Sequence, residues 1–354
     1  MTCVKTKIMN TFEMSTVYIL LLFCSFLHAA PLIDFEEHSQ DFVLETKRIV
    51  IPEFKEAFNP SIIRWRGSLL MSFRIVPDPK QSFTSHFGLI WLDDDFNPIG
   101  HPQLLNIRDE GSNVPPRADD ARLINSGDTL YFIYSDNAEP KISRAGFRVY
   151  VAELQYEKDH FFLKNKECLS FFEGSSPDKR EKNWVPFDYE GNLLLAYSIN
   201  PHTIFYPLLG TGECTTIAQT TPSIRWKFGP LRGGTPGLMV GNEYLSFFHS
   251  CIDMASVHSD GQHASHYFMG AYTFSKTPPF ALTQISPTPI VGKNFYRGTP
   301  YQPYWKPICC IFPCGFIFDE KYIWVAYGRQ DHEVWIVKLD KQGLLNSLTA
   351  VTTS

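Results

Sequence analysis

From residue 42 onward the chain alternates short apolar runs with clusters of Gly, Asn, Asp and Pro, and almost no stretch carries the period of a helix. Residues 42–51 alternate weakly and predict a strand. Residues 58–74, FNPSIIRWRGSLLMSFR, show a fuller layout: a polar, Pro-containing start, an apolar run (Ile62, Ile63), a turn at 66–68 and a second apolar run at 69–73. That is the pattern of a β-hairpin. A single turn of helix is predicted over 341–348.

The same layout recurs four more times. It appears at 117–137 (RADDARLINSGDTLYFIYSDN), at 183–201 (NWVPFDYEGNLLLAYSINP), at 233–250 (GGTPGLMVGNEYLSFFHS) and at 312–331 (FPCGFIFDEKYIWVAYGRQD). Counted from Pro60, Ala121, Pro186, Pro236 and Pro313, the copies lie 61, 65, 50 and 77 residues apart. Those intervals leave room for a second hairpin in each unit, as in 87–100, 147–163 and 266–275. One four-stranded unit cannot cover both of its faces, whereas a ring of such units buries each against its neighbour. The chain is therefore expected to be an all-β, five-bladed β-propeller. A β-sandwich is the competing architecture, but it does not explain why the first hairpin of every unit resembles the others. No linker divides the chain, so 31–354 is expected to be a single catalytic domain.

Composition narrows this picture. Charged residues make up 19% and hydrophobic ones 44%, which excludes a disordered chain. The net charge of −5 with no long basic run argues against a nucleic-acid partner. At the N-terminus, Lys5 and Lys7 precede an apolar segment, 17–27, and then Ala29 and Ala30. This reads as a signal peptide over 1–30, too short in its apolar core to span a bilayer, with a signal anchor as the alternative. The expected location is secreted or periplasmic, with no stable membrane span after cleavage. Six cysteines follow, at 168, 214, 251, 309, 310 and 314. An exported chain permits disulfides, but these are too sparse for a framework. Cys309, Cys310 and Cys314 lie in the apolar run ICCIFPCGFIF and read as buried strand residues, not metal ligands. His258, His263 and His266 fall in a polar loop and read as solvated. Asp93, Asp94 and Asp95 read as a solvated hairpin turn. Arg144 and Arg148 fit either a pocket rim or a blade edge.

In a propeller the start of each innermost strand faces the central axis, so the polar residues there converge. They are Asn59 and Ser61; Asp119, Asp120 and Arg122; Glu181, Lys182 and Asn183; and Arg232 and Thr235. The strand exits add Asn200, His202, His249, Arg329, Asp331 and His332. Aromatics nearby in sequence are Trp65, Trp184, Tyr197, Phe248 and Tyr327. Carboxylates, cations, amides and aromatics together suit a polyhydroxylated ligand. Asp119 and Asp120 are adjacent, and alternation along a strand predicts that they face opposite ways, so that one enters the pocket.

The ordered motifs ADDARLI, EKNWVPF, GGTPGLM…YLSFFHS, FPCGF and YGRQD resemble those of the glycoside hydrolase family 130 superfamily. The resemblance spans about residues 55–340 and extends to the related β-1,2-mannosyltransferases and mannan phosphorylases of trypanosomatids. It implies a five-bladed propeller acting on β-mannosides by inverting phosphorolysis, hydrolysis or glycosyl transfer. The family's Glu-Asp-Pro-Arg signature falls on Asp119, Asp120, Ala121 and Arg122, which implies Asp120 as the general acid, its proton travelling through a sugar hydroxyl. Asn59, His249 and Asp331 match sugar-contacting positions. The chain departs from the pattern at Ala121, where the family has Pro. It also departs at Asn200-Pro201, followed by His202, where the phosphorylases place a phosphate-binding Arg-Pro. Where the family has a second phosphate-binding Arg before the third repeat, this chain has Lys182 nearby with a shift in register, and where the family has a lysine ahead of the fourth-repeat glycines, Arg232 stands in. The expected substrate-binding set is Asn59, Asp119, Arg122, Lys182, Asn183, Asn200, His202, Arg232, His249 and Asp331, around a catalytic Asp120. The expected partners are an oligosaccharide or glycan with phosphate or a nucleotide sugar, and no metal or organic cofactor. A non-catalytic glycan-binding propeller is the rival from another functional class.

Overall fold

A computed structural model describes residues 31–354 except 79, 81–83, 109–110, 112, 139–141, 145, 298–306 and 354. The N-terminal segment read as a signal peptide, 1–30, lies outside the described residues. Among the described residues no helix is long and apolar enough to cross a membrane.

The fold is all-β with a propeller arrangement. Four sheets have the regular four-stranded form. The first holds the strands Phe58–Trp65, Ser68–Ile75, His86–Leu92 and Pro98–Leu105 in chain order. The second runs from Asp119–Ser126 through Thr129–Asn137 and Phe147–Glu157 to His160–Leu169, and the third from Val185–Tyr189 through Asn192–Ser198 and His202–Leu208 to Glu213–Thr220. The fourth combines Ile311–Phe318, Tyr322–Arg329 and Glu333–Asp340 with Val43–Ile49 from the start of the domain. Beginning and end of the chain thus share one sheet, which closes the arrangement without an exposed edge between them.

The expectation of five regular blades is corrected to four. The fourth repeat lies in a seven-stranded sheet, with Glu243–Met254 and Ala264–Ser275 at its centre. The sequence explains the departure. Gly234, Pro236 and Gly237 split the inner strand into the short pieces Arg232–Gly233 and Leu238–Val240. The two 12-residue strands that follow overhang their neighbours and recruit Leu282–Ile285, Ile308–Cys309 and Thr349–Ala350 at their margins. Residues 266–275, expected to supply a hairpin, therefore belong to one continuous strand.

Inner strands pack side by side. Phe58–Trp65 lies against Ile311–Phe318 and Asp119–Ser126, and Asp119–Ser126 lies against Val185–Tyr189. The seams between sheets are apolar, as with Ile62, Met71 and Phe73 against Ala326 and Ile336. Burial of such surface stabilises by about 25 cal/mol per Å². The helix, Lys341–Ser347, falls where expected and is capped by Asp340, whose carboxylate accepts the Gly343 amide at 2.6 Å.

The six cysteines after residue 30 are free thiols. Cys309, Cys310 and Cys314 are buried in or beside strands. Two of the three histidines read as solvated are not. His258 pairs with Asp34 at 3.1 Å and stacks on Phe35. His266 is fully buried between Ser256 and the Ala264 carbonyl. Only His263 is exposed. The N-terminal residues 34–36 fold back over this loop and cover it, a contact no local pattern announces. Asp94 lies in the expected exposed turn, paired with Arg64. Arg144 forms an exposed pair with Asp178, and Arg148 is buried, donating to backbone carbonyls including those of Lys179 and Ser176.

Candidate functional site

Two of the inner strands begin with a break in register. In the first sheet Phe58 pairs with Arg74 and Ser61 with Ser72, so Asn59 and Pro60 stand against Phe73 alone. In the second, Asp119 pairs with Ser135 and Arg122 with Ile133, leaving Asp120 and Ala121 against Tyr134. These are β-bulges, which bend a strand and re-aim its side chains. Asn59 and Asp120 occupy the same place in their bulges, with φ of 47° and 54°. Asn183 (63°), Gln330 (54°) and Asp331 (54°) are also left-handed. Asn and Asp tolerate this region better than most residues, and non-Gly residues held there concentrate at functional sites. The bulge forms at Ala121 as it does at Pro60, so the departure from proline leaves it intact.

The bulges converge on a cavity of about 220 Å³. Of the sequence-predicted residues, Asn59, Asp119, Asp120, Lys182, Asn183, Arg232, His249 and Asp331 line it. The alternation argument for the two acids fails here. Both carboxylates line the same cavity, because the bulge at Asp120 interrupts the alternation on which their opposition depended. Asn59 Nδ2 donates to Asp120 Oδ1 at 2.9 Å. Asp119 is held by Arg74 and Lys182, and Arg74 Nη1 lies 3.9 Å from Asp120 Oδ1. A Cβ on Gly328 would meet Asn59 Oδ1 at 1.9 Å, so the approach of Asn59 requires glycine there.

Three predicted residues sit elsewhere. Arg122 lies behind the wall, buried, with Nη1 donating to the Asp120 carbonyl at 2.6 Å, Nε to the Gly234 carbonyl at 2.5 Å and Nη2 to Asn183 Oδ1 at 3.1 Å. It braces Asp120 and Asn183 and does not line the cavity. Gly233 admits this packing, since a Cβ there would meet the Asn183 carbonyl at 2.2 Å. His202 is buried away from the cavity, with Nδ1 donating to the Phe280 carbonyl at 2.8 Å. Burial pushes it down to about 4, so it is neutral near pH 7. Asn200 occupies an exposed turn. The strand His202–Leu208 carries both away from the axis once it leaves that turn.

Arg74, Arg117, Tyr267, Cys310 and Phe312 also line the cavity and were missed. Arg74 is the exit of the second strand of the first repeat, the same kind of position that pointed to His249 and Arg329; applying the rule to every repeat finds it. Arg117 lies two residues before the acidic pair. Tyr267 and Cys310 are placed by the seven-stranded sheet and its margin. The aromatics expected around the ligand are displaced: Trp184, Phe248 and Tyr327 are core, and Trp65 stacks on Trp91.

Charge is concentrated. Arg74, Arg117, Lys182 and Arg232 share the cavity with Asp119, Asp120 and Asp331. The Asp331 carboxyl is pushed up to about 6 by burial, opposed by Arg74 and reinforced by the negative charges of Asp120 and Asp119. His249 is held well below the usual histidine range, first by burial and then by Arg122, Arg232 and Lys182. It is a neutral imidazole beside the Gly233 backbone, and its buried Nδ1 makes no hydrogen bond of normal geometry among the described residues. Such an atom costs free energy unless a ligand completes it. The cavity opens into a groove of about 580 Å³ that shares Lys182, Asn183 and Arg232 with it.

No protein-family model matches the chain, and comparison with curated protein sequences finds no match. Solved structures share its fold. A mannose phosphorylase from Leishmania mexicana, in complex with phosphate ion, superposes with a TM-score of 0.60 at 12% identity, covering 96% of this chain and 98% of its own. A GDP-Man-dependent mannosyltransferase from the same organism gives 0.58 at 10% identity, covering 85% and 91%. A structure from the GH130 family of mannoside phosphorylases, which contains glycoside hydrolases that target β-1,2-mannosidic linkages in Candida mannan, gives 0.55 at 12% identity, covering 89% and 93%. At these identities the likeness is one of fold.

Proposed function

We propose that this chain is an exported carbohydrate-active enzyme that cleaves or forms a β-mannosidic linkage by single displacement with inversion, with Asp120 as general acid. The carrying observation is the placement of Asp120: its Oδ1 is fixed by Asn59 on the wall of a charged cavity, beside a carboxylate already neutralised by Arg74 and Lys182.

In this reading Asp120 gives a proton to the glycosidic oxygen, through a sugar hydroxyl as the family resemblance implies. The sugar carbon loses its leaving group on one face as a nucleophile bonds on the other. Asn59, His249 and Asp331 orient the sugar hydroxyls, His249 through its buried Nδ1. Asp331, raised to about 6, is a carboxylate near neutral pH and accepts from a hydroxyl. Lys182, Arg232 and Arg117 supply positive charge beside the acid, which suits phosphate or a phosphate-bearing donor as the second substrate. Arg122 acts from behind by bracing Asp120.

The test is incubation with β-mannobiose isomers, with and without phosphate, and with GDP-mannose. Product formed only with phosphate establishes phosphorolysis, product without it hydrolysis, and product only with GDP-mannose transfer. Equal turnover by Asp120→Asn removes Asp120 from the acid role. Absence of turnover on every substrate moves the chain to the glycan-binding class.

A further inference from the structure

The groove beside the cavity carries charge that the reaction above does not use. Lys179, Arg180, Glu181 and Tyr197 line its outer part, beyond the shared Lys182 and Arg232. Glu181 is buried and paired with Lys179 at 3.4 Å, and the Lys179 ammonium also meets the Tyr197 hydroxyl and lies over its ring. Those charges cancel one another. Arg180 and Arg232 have no hydrogen-bond or ion-pair partner among the described residues, and both are exposed to the groove.

Arg180 is held close to other cations. Its guanidinium lies 5.5 Å from the centre of the buried Phe147 ring, which also carries Arg117 at 4.6 Å and Lys182 at 4.7 Å. The positive charge of Arg180 lowers the pKa of Arg117, after burial and against Asp119. Three cations gather around one ring, and Arg180 is the one that faces the groove alone, Lys182 being paired with Asp119 and Arg117 lying beside the same carboxylate. A concave, contiguous site with unneutralised guanidinium forks attracts anions, and guanidinium geometry matches phosphate in particular.

We infer that the groove is a second anion subsite, built around Arg180, that takes a phosphoryl group carried by the carbohydrate substrate itself. It shares Lys182 and Arg232 with the cavity of Asp120 and extends beyond it at Arg180. The inference rests on the carbohydrate reading of the cavity. The phosphoryl group has two possible sources, a sugar phosphomonoester or the diphosphate of a sugar nucleotide, and both present the same chemistry to Arg180.

The experiment is calorimetric titration of the full chain, in phosphate-free buffer, with mannose, mannose 6-phosphate and GDP-mannose, the Arg180→Gln variant separating the groove from the inner cations. A phosphorylated ligand should bind about tenfold or more tightly than mannose, as a charge-assisted contact implies. Arg180→Gln should remove most of that gain, leave β-mannobiose turnover within about twofold and leave the unfolding midpoint unchanged, because the side chain is exposed and unpaired. A gain for mannose 6-phosphate identifies the monoester source, and a gain confined to GDP-mannose identifies the nucleotide. Equal affinity for mannose and both phosphorylated ligands overturns the inference, as does a gain that survives Arg180→Gln. Turnover of β-mannobiose without any gain removes the subsite and keeps the enzyme. A gain lost in Arg180→Gln without turnover of any substrate keeps the subsite and removes the proposed reaction.

Discussion

The two ends of the inner hairpins use the same backbone region for opposite purposes. At four of the five outer turns, left-handed residues come with glycine: Arg66 with Gly67, Glu190 with Gly191, and Gly127 and Gly241 in the second and fourth repeats. At the axial ends the left-handed residues are Asn59, Asp120, Asn183, Gln330 and Asp331. A hairpin turn needs only the dihedral angle, and glycine adopts it at no steric cost. The axial bulges need the angle and a functional group on it, so a side chain is held where glycine would be easier. That cost, of order 1–3 kcal/mol per residue, persists only where surrounding contacts over-determine the geometry. Here those contacts are Arg122 behind Asp120, Gly328 beneath Asn59 and the sheet seams around them.

The comparison gives four measurements, from the largest expected effect to the smallest. Asp120→Asn keeps the shape of the bulge and removes the proton, and turnover should fall by about 10²–10⁴; steady-state rates on the substrate found active decide this. Gly328→Ala drives a methyl into Asn59 and should lower kcat by about 10–100-fold through misplacement of Asp120. If activity survives Gly328→Ala, the Asn59 contact is not what positions the acid.

The third measurement uses pH. The Asp331 carboxyl is raised from 3.8 to about 6 by burial. Its folded form holds the proton longer than its unfolded form, so its contribution to stability is present below about 4 and is lost as pH rises through about 6. Asp136, buried beside Arg108 and also raised to about 6, has the same sign. Denaturant unfolding should therefore show stability falling across this window, and Asp331→Asn should remove part of the fall, about 1–2 kcal/mol, leaving the share of Asp136. In the wild type, activity should rise through about 6 as Asp331 becomes able to accept. The smallest effect is expected at the outer end. Gly67 has φ of 82° with open space around it, so Gly67→Ala meets no neighbour and only the dihedral is strained. It should destabilise by about 1 kcal/mol and leave activity unchanged.

The outer turns were legible because Arg66-Gly67-Ser68 and Glu190-Gly191-Asn192 sit between apolar runs, and that is a local signal. The axial site was legible in part. Asp120, Asn59 and Asp331 stood at repeat starts and exits, but the joint presence of Asp119 and Asp120 in one cavity did not, because alternation assumes an unbroken register. Asn200 and His202 were placed in the site as a strand exit and by the resemblance to an Arg-Pro pair, and the strand after that turn leads away from the cavity. His258 and His266 were misread because their cover, residues 34–36, comes from more than two hundred positions away.

The sequence by itself determined the strands, the hairpin turns, the repeated unit and the kinds of side chain offered at the axis, since each depends on residues near one another in the chain. Tertiary structure decided which of those side chains meet. The register breaks that turn Asn59 and Asp120 inward, the enlarged seven-stranded sheet that brings in Tyr267 and Cys310, and the gathering of Arg117, Arg180 and Lys182 around Phe147 all arise between segments far apart in sequence. Their energies come from packing and charge at contact distance, and only the closed arrangement of sheets creates those distances.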